Sequence, residues 1–180
     1  VQWELEHFLG AGGYGQTYRA TNAATKVPSV LKFILSNGAT DPEVDFLRQI
    51  PCGLLSHQNI VKYQALCLDC EWGPTTLVFN IIFMELAPNG ELFDLVTAPN
   101  VPPISETISR RLVHHVVRGL HACREYGISH RDIKPDNLLI DGSCRVVLCD
   151  MGHAKAAEGT DSGSIRMASV NRGSPGYRAP

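Results

Sequence analysis

The residue texture changes once, at Ala87-Pro88-Asn89-Gly90, and that change restricts the fold more than anything else in the 180 residues. Before it, β-branched and aromatic residues gather in short runs: Trp3 to Leu9, Tyr14 to Ala20, Ser29 to Leu35, Val61 to Cys67 and Leu77 to Glu85. Each is bounded by Gly, Pro or Asn, which predicts strands. One helix interrupts them, with Asp41 as N-cap, Pro42 at the first helical position, Glu43 in the first turn, and Val44, Phe46, Leu47 and Ile50 ahead of Pro51. After the change, Ser105 is placed to cap a helix running to Tyr126 and stopped by Gly127. Ile108, Leu112, Val116, Leu120 and Cys123 fall on one face, and Arg110, Arg111, His114, Arg118 and His121 on another. Asn137 to Asp141 and Arg145 to Cys149 read as a hairpin turning at Asp141-Gly142-Ser143. Ala154 to Pro180 is Gly/Ser/Thr-rich and aperiodic, the texture of a long loop that is either functional or disordered. A strand-rich half followed by a helical half predicts an α+β chain.

Composition removes several function classes. Hydrophobic residues make up 44% of the chain, enough to bury a core, so it is not a disordered or collagen-like segment. A net charge of -2 without a run of Lys or Arg leaves no footprint for nucleic acid or an anionic membrane surface. The most apolar stretch, Leu77 to Met84, is far shorter than the roughly 20 residues of a membrane span. The opening Val1-Gln2-Trp3-Glu4 has neither an initiator Met nor signal-peptide texture, so a fragment without a leader is expected. Of six cysteines, only Cys67-Leu-Asp-Cys70 has ligand-like spacing, and no second CxxC or His pair completes a zinc site. Free thiols in a reducing cytoplasmic setting, or a nuclear one, are the expectation.

Three motifs carry chemistry. Gly10, Gly12 and Gly15 form a G-x-G-x-x-G with strand texture on both sides, where missing Cβ atoms let backbone N–H groups approach phosphate oxygens. A dinucleotide-binding turn would open a helix here, whereas Tyr18-Arg19-Ala20 continues a strand. Lys32 stands inside the apolar run Val30 to Ile34, so it either points to solvent or meets an anion, with Glu43 and a phosphate as candidates. The third is His130-Arg131-Asp132-Ile133-Lys134-Pro135-Asp136-Asn137, followed after the hairpin by Cys149-Asp150-Met151-Gly152. It supplies a carboxylate to orient a hydroxyl, an amide and a second carboxylate for a hard cation, and an ammonium for phosphate.

Taken in order, these motifs resemble the eukaryotic protein kinase family over essentially the whole chain. The resemblance implies a two-lobed protein-kinase-like fold, with a β-rich N-terminal lobe (1–86) and a truncated, mainly helical C-terminal lobe (87–180) carrying the hinge exit, catalytic loop and activation segment. It implies ATP and Mg²⁺ as cofactors. Gly10, Gly12 and Gly15 correspond to the Gly-rich loop, Lys32 to the phosphate-pairing lysine and Glu43 to its helix partner. Met84, Glu85 and Ala87 correspond to the gatekeeper and hinge, Glu91 to the ribose contact, and Val30 and Leu139, with Thr17, to residues flanking adenine. Asp132 corresponds to the catalytic base, Lys134 to the γ-phosphate contact, and Asn137 and Asp150 to the metal ligands. Leu47, Tyr63, His130 and Met151 fall where the family stacks its regulatory spine. Lys134-Pro135 and Gly173-Ser174-Pro175 resemble the serine/threonine class rather than tyrosine kinases, and Arg131 separates the chain from aminoglycoside-type kinases.

The implied reaction is transfer of the γ-phosphate of ATP to Ser or Thr hydroxyls of protein substrates; the alternative is a pseudokinase or nucleotide-binding scaffold. Arg131 implies control by an upstream kinase acting on Thr160, Ser162, Ser164 or Ser169, with Ser169 favoured. Departures from the pattern are Met151 for Phe, Thr17 for Val, Val30 for Ala, and a Lys32 to Glu43 spacing of only 11 residues. With Pro42 directly before Glu43, that spacing predicts a short helix and an imperfect ion pair. Truncation predicts exposed apolar surface around Gly119, Leu120 and the hairpin, and marginal stability.

Overall fold

The computed structural model describes residues 2–12, 15–38, 41–50, 52–73, 76–99, 102–156 and 173–177. They fall into two compact units, one made of residues 1–56 and 62–86, the other of 57–61 and 87–180.

The first unit is a five-stranded antiparallel sheet of β1 (Trp3–Gly12), β2 (Gly15–Asn22), β3 (Pro28–Leu35), β4 (Tyr63–Glu71) and β5 (Val78–Glu85), in the order β1-β2-β3-β5-β4. Because side chains alternate along a strand, Leu31 and Phe33 of β3 point to one face and Lys32 to the other. The first face holds a core of Ala20, Leu31, Phe33 and Ile81 under an aromatic layer of Trp3, Tyr18, Trp72, Phe79 and Phe83. Phe33 is its hub, with edge-on contacts to Tyr18, Trp72 and Phe79. The opposite face receives α1 (Pro42–Gln49). That helix starts where the sequence predicts: the Asp41 carboxylate accepts from the N–H groups of Glu43 (2.9 Å) and Val44 (3.0 Å), and Pro42 needs no partner at the first position.

One expectation for this unit fails. Cys67 and Cys70 are joined in a disulfide, not held as thiols or as half a zinc site. Between them the pairing slips: Cys67 faces Ile81 and Cys70 faces Phe79, so three steps along β4 match two along β5, and Asp69 takes a left-handed φ of +50°. Gly15, at φ +151°, has no room for a side chain, since a Cβ would meet the Phe33 carbonyl oxygen at 2.3 Å.

The second unit is built on α3 (Glu106–Glu125), preceded by a short α2 (Leu92–Thr97) that the sequence did not announce. The hairpin forms as β7 (Leu138–Ile140) with β8 (Val146–Leu148), and β6 (Ile128–Ser129) pairs with β9 (Lys155–Ala156) inside the stretch expected to be loop. Its turn is pinned by the Asp141 carboxylate, which accepts from the backbones of Ser143 and Arg145; the left-handed residue is Cys144, not Gly142. Residues 57–61 join this unit through β8: Leu148 N–H donates to Asn59 O at 2.9 Å, and Val61 N–H to Leu148 O at 2.8 Å. Gly119 lets α3 close on that strand, since a Cβ there would lie 2.6 Å from Asn59 O and 2.9 Å from the Leu148 side chain. The expectation of exposed apolar surface fails at Gly119 and at the hairpin, where Val146, Val147 and Leu148 are buried, but on the helix itself Leu120 is only half-buried and Ile108, Val113 and Val117 are exposed. Among the described residues, no helix is long and apolar enough to cross a membrane.

Candidate active site

In the first unit the central strand β3 carries Lys32 between Thr17 of β2 and Ile82 of β5. Its ammonium lies 2.5 Å from Glu43 Oε2. Tyr63 on β4 donates its hydroxyl to the other oxygen, Oε1, at 2.9 Å. Glu43 is only 2% exposed, so a carboxylate that is costly to bury has both oxygens occupied. The ion pair is thus formed, against the expectation drawn from the short spacing. The helix is indeed short at eight residues, but Asp41 and Pro42 start it so abruptly that Glu43, in its first turn, faces β3. Gly10 and Gly12 lie in β1, and a Cβ added at either would meet nothing within 4 Å, so this stretch of backbone is open to approach. Val30 pairs with Met84, and Glu85 exchanges hydrogen bonds with Lys62.

In the second unit the catalytic-loop residues converge on Asp132, which is 4% exposed. Its Oδ1 accepts from the Ser174 N–H at 2.6 Å and its Oδ2 from Asn137 Nδ2 at 2.9 Å, with Lys134 Nζ 3.6 Å away. Burial alone would push this carboxyl up; the Ser174 backbone and hydroxyl, the Lys134 ammonium and the Asn137 amide outweigh it and hold Asp132 below the ordinary carboxylate range. Lys134 also donates to Ser174 Oγ at 2.8 Å, so one serine ties the acid and the cation together. Gly173 makes this possible, with φ +98° and a Cβ position 2.6 Å from the Arg131 carbonyl oxygen. Ser174 is a site residue that sequence reasoning missed, because its partners lie some forty positions away.

His130 supports the loop from beneath. Its Nε2 faces the Cys149 carbonyl at 3.0 Å, and since a carbonyl only accepts, that nitrogen carries the proton. Nδ1 is then free to accept from the Asp132 N–H at 3.4 Å. Burial depresses the His130 pKa, which keeps the ring neutral in this role. Arg131, at φ +66°, donates from Nε to His153 O at 2.7 Å.

The two residues named as metal ligands share a stretch of backbone: Cys149 N–H, next to Asp150, donates to Asn137 O at 3.0 Å. Asn137 directs Nδ2 to both Asp132 O (2.8 Å) and Oδ2, an orientation that leaves its side-chain oxygen as a hard donor. Asp150, left-handed at φ +59°, uses Oδ1 to accept from Gly152 N–H and keeps its second oxygen. One amide and one carboxylate oxygen fit Mg²⁺, which is commonly held by one or two protein groups with phosphates completing the shell. Among the described residues there is no group of three or more His, Cys, Asp or Glu fit to hold a metal ion by themselves.

Glu91 precedes α2 and bridges to Leu139, and its carboxylate makes no capping bond. Its pKa is raised, by burial first and then by Asp94 and Asp136, with Lys134 pulling the other way. Leu47 and Tyr63 are buried in the first unit, and His130 and Met151 in the second. An apolar depression of about 330 Å³ in the second unit, lined by Leu92, Val96, Ile104 and Leu112 among others, includes none of these polar groups. Thr160, Ser162, Ser164 and Ser169 lie outside the described residues, as do Arg178, Ala179 and Pro180.

A model of the family described as the protein kinase domain matches residues 3–180. The chain is 31% identical to the serine/threonine-protein kinase GIN4 of Saccharomyces cerevisiae, over 99% of its own length and 16% of that protein. It is 33% identical to the serine/threonine-protein kinase SAPK3 of Oryza sativa subsp. indica, over 87% of the chain and 44% of the relative. Against the human NUAK family SNF1-like kinase 1 the identity is 29%, covering 84% and 22%. The chain thus spans less than half the length of these relatives.

Proposed function

The chain belongs to the protein kinase family, in its serine/threonine class, and on that premise we propose that the protein transfers the γ-phosphate of ATP to Ser or Thr hydroxyls of protein substrates. The observation that carries this reading is Asp132: a buried carboxylate kept ionised by Ser174 and Asn137, with the Lys134 ammonium beside it. A scaffold without chemistry has no use for such a poised group. In this reading Asp132 orients the attacking hydroxyl and receives its proton, while Lys134 steadies the transferring phosphate. Lys32, paired with the Glu43 carboxylate that Tyr63 also holds, binds the α- and β-phosphates against the open backbone of Gly10 and Gly12. Val30, Met84, Glu85, Ala87 and Leu139 take the base, and Glu91 the ribose. Asn137 and Asp150 would hold Mg²⁺, which when bound offsets phosphate charge. The catalytic contribution is mostly positioning and electrostatics.

An upstream kinase acting on the segment before Gly173, with Ser169 as first candidate, belongs to the same proposal. The test is label transfer from γ-labelled ATP to a mixed protein acceptor by the whole protein, followed by phosphoamino-acid analysis. Phosphoserine and phosphothreonine are expected, and Asp132→Asn should lower kcat about 10²- to 10⁴-fold with nucleotide affinity unchanged. Full turnover in Asp132→Asn would overturn the assignment. Nucleotide binding without any transfer by the unaltered protein would replace it with the scaffold reading.

A further inference from the structure

The Cys67–Cys70 disulfide lies on β4, an edge strand, with both cysteines half-buried and so within reach of a small molecule. Cys52, Cys123, Cys144 and Cys149 are outside any disulfide, and burial pushes the Cys123 thiol up to about 11 and raises that of Cys52, which makes both poor nucleophiles. The geometry couples the bond to the backbone. In a regular strand, Cα atoms three residues apart are separated by roughly 10 Å. Here they are 6.4 Å apart, inside the range a disulfide spans, and the extra residue of the bulge is what brings them together. Bulge and bond therefore favour each other, and each is weaker alone.

The bulge is also tied to Ser36, at the start of the segment that joins β3 to α1. Asp69, left-handed at its apex, donates its backbone N–H to Asn80 Oδ1 at 3.1 Å, and its carboxylate accepts from Ser36 Oγ at 2.6 Å. Ser36 is the first residue after β3, anchored by its N–H on Val78 O at 2.8 Å, and the chain leads from it to the Asp41 cap and to Glu43. We propose that Cys67–Cys70 is a reversible redox modification site, opened by a low-molecular-weight thiol, whose state is passed through Asp69 and Ser36 to the helix that presents Glu43 to Lys32. The chemistry balances as two exchanges. A small thiolate attacks one Sγ, the S–S bond breaks, and the other cysteine leaves as a thiolate and takes a proton. A second small thiol then attacks the mixed disulfide and frees the remaining cysteine, so two thiols become one small-molecule disulfide as the protein gains two electrons and two protons. The inference rests on the fold of the first unit and not on phosphotransfer.

The experiment is a titration of the chain in glutathione buffers of graded redox ratio, read by thiol-labelling mass spectrometry and by amide hydrogen exchange. Oxidised protein should show the cross-link within the peptide of residues 63–71. Reducing it should speed exchange in Ser36–Gly38 and Pro42–Gln49 roughly fivefold or more, leaving β1 and β2 unchanged. The Cys67→Ser/Cys70→Ser double variant should exchange as the reduced protein does in every buffer. Ser36→Ala should keep the cross-link but lose the effect on α1, which separates coupling from general loosening. Failure of the cross-link to form in the most oxidising buffer overturns the site. Equal exchange of α1 in the two states overturns the coupling.

Discussion

At the scale of single residues, the site depends on groups whose partners are far apart in sequence. Tyr63 holds the Glu43 oxygen that Lys32 does not, at a residue only 2% exposed, so Tyr63→Phe leaves a buried acceptor unpaired. That variant should lose roughly 1–3 kcal/mol in denaturant unfolding, the usual cost of such an orphan. Gly15 and Gly10 form a second comparison within one motif. Gly15→Ala puts a methyl group into the Phe33 carbonyl at a left-handed φ and should cost roughly 2–4 kcal/mol, whereas Gly10→Ala meets nothing and should shift the melting temperature little. A Gly10→Ala variant as damaged as Gly15→Ala would show that the loop glycines are not distinguished by local crowding. The motif residues themselves were legible because their chemistry is local: an acid, an amide and an ammonium within six positions announce a phosphate site. Ser174 and Tyr63 as partners were not, since nothing near them in sequence names what they touch.

Among elements, legibility followed length and periodicity. The five strands of the sheet, α1 with its Asp41-Pro42 start, and α3 between Ser105 and Gly127 carried strong patterns and formed. The six residues of α2 and the two of β9 did not announce themselves, because such short pieces are held by what they pack on rather than by their own propensity. The disulfide was missed for the opposite reason. CxxC spacing fits thiols, a metal or a bond equally well, and the choice is made by a slip in strand register that no composition encodes. In α3, Gly119 sits mid-helix, where alanine would ordinarily add about 1 kcal/mol of stability. Here its Cβ would strike Asn59 O and Leu148, so Gly119→Ala should instead destabilise by roughly 1–3 kcal/mol in a thermal melt. A stabilised variant would mean α3 does not close on β8 as described.

For the molecule as a whole, the two units differ in how they should respond to acid. Burial lowers the pKa of His57, His115 and His130, and all three belong to the second unit. A histidine with a depressed folded pKa contributes full stability above its unfolded value near 6.5, and that contribution is lost as pH falls through the folded value. Hydrogen exchange corrected for intrinsic rates should therefore quicken in residues 57–61 and 87–156 between about pH 7.5 and about 5.5, with the sheet unit changing less. His130→Gln should flatten that dependence, and a sheet that loosens first would contradict it. The same sheet also bears on solubility. Its outer strands are β1 and β4, each with a row of backbone groups turned away from the sheet, and exposed rows of this kind invite strands of other copies to add on. Neither row is regular: β1 slips between Leu5 and His7 and again between Phe8 and Gly10, and β4 slips twice as well. An incoming strand could match only a few residues before losing step, so the uneven borders work against growth of the sheet.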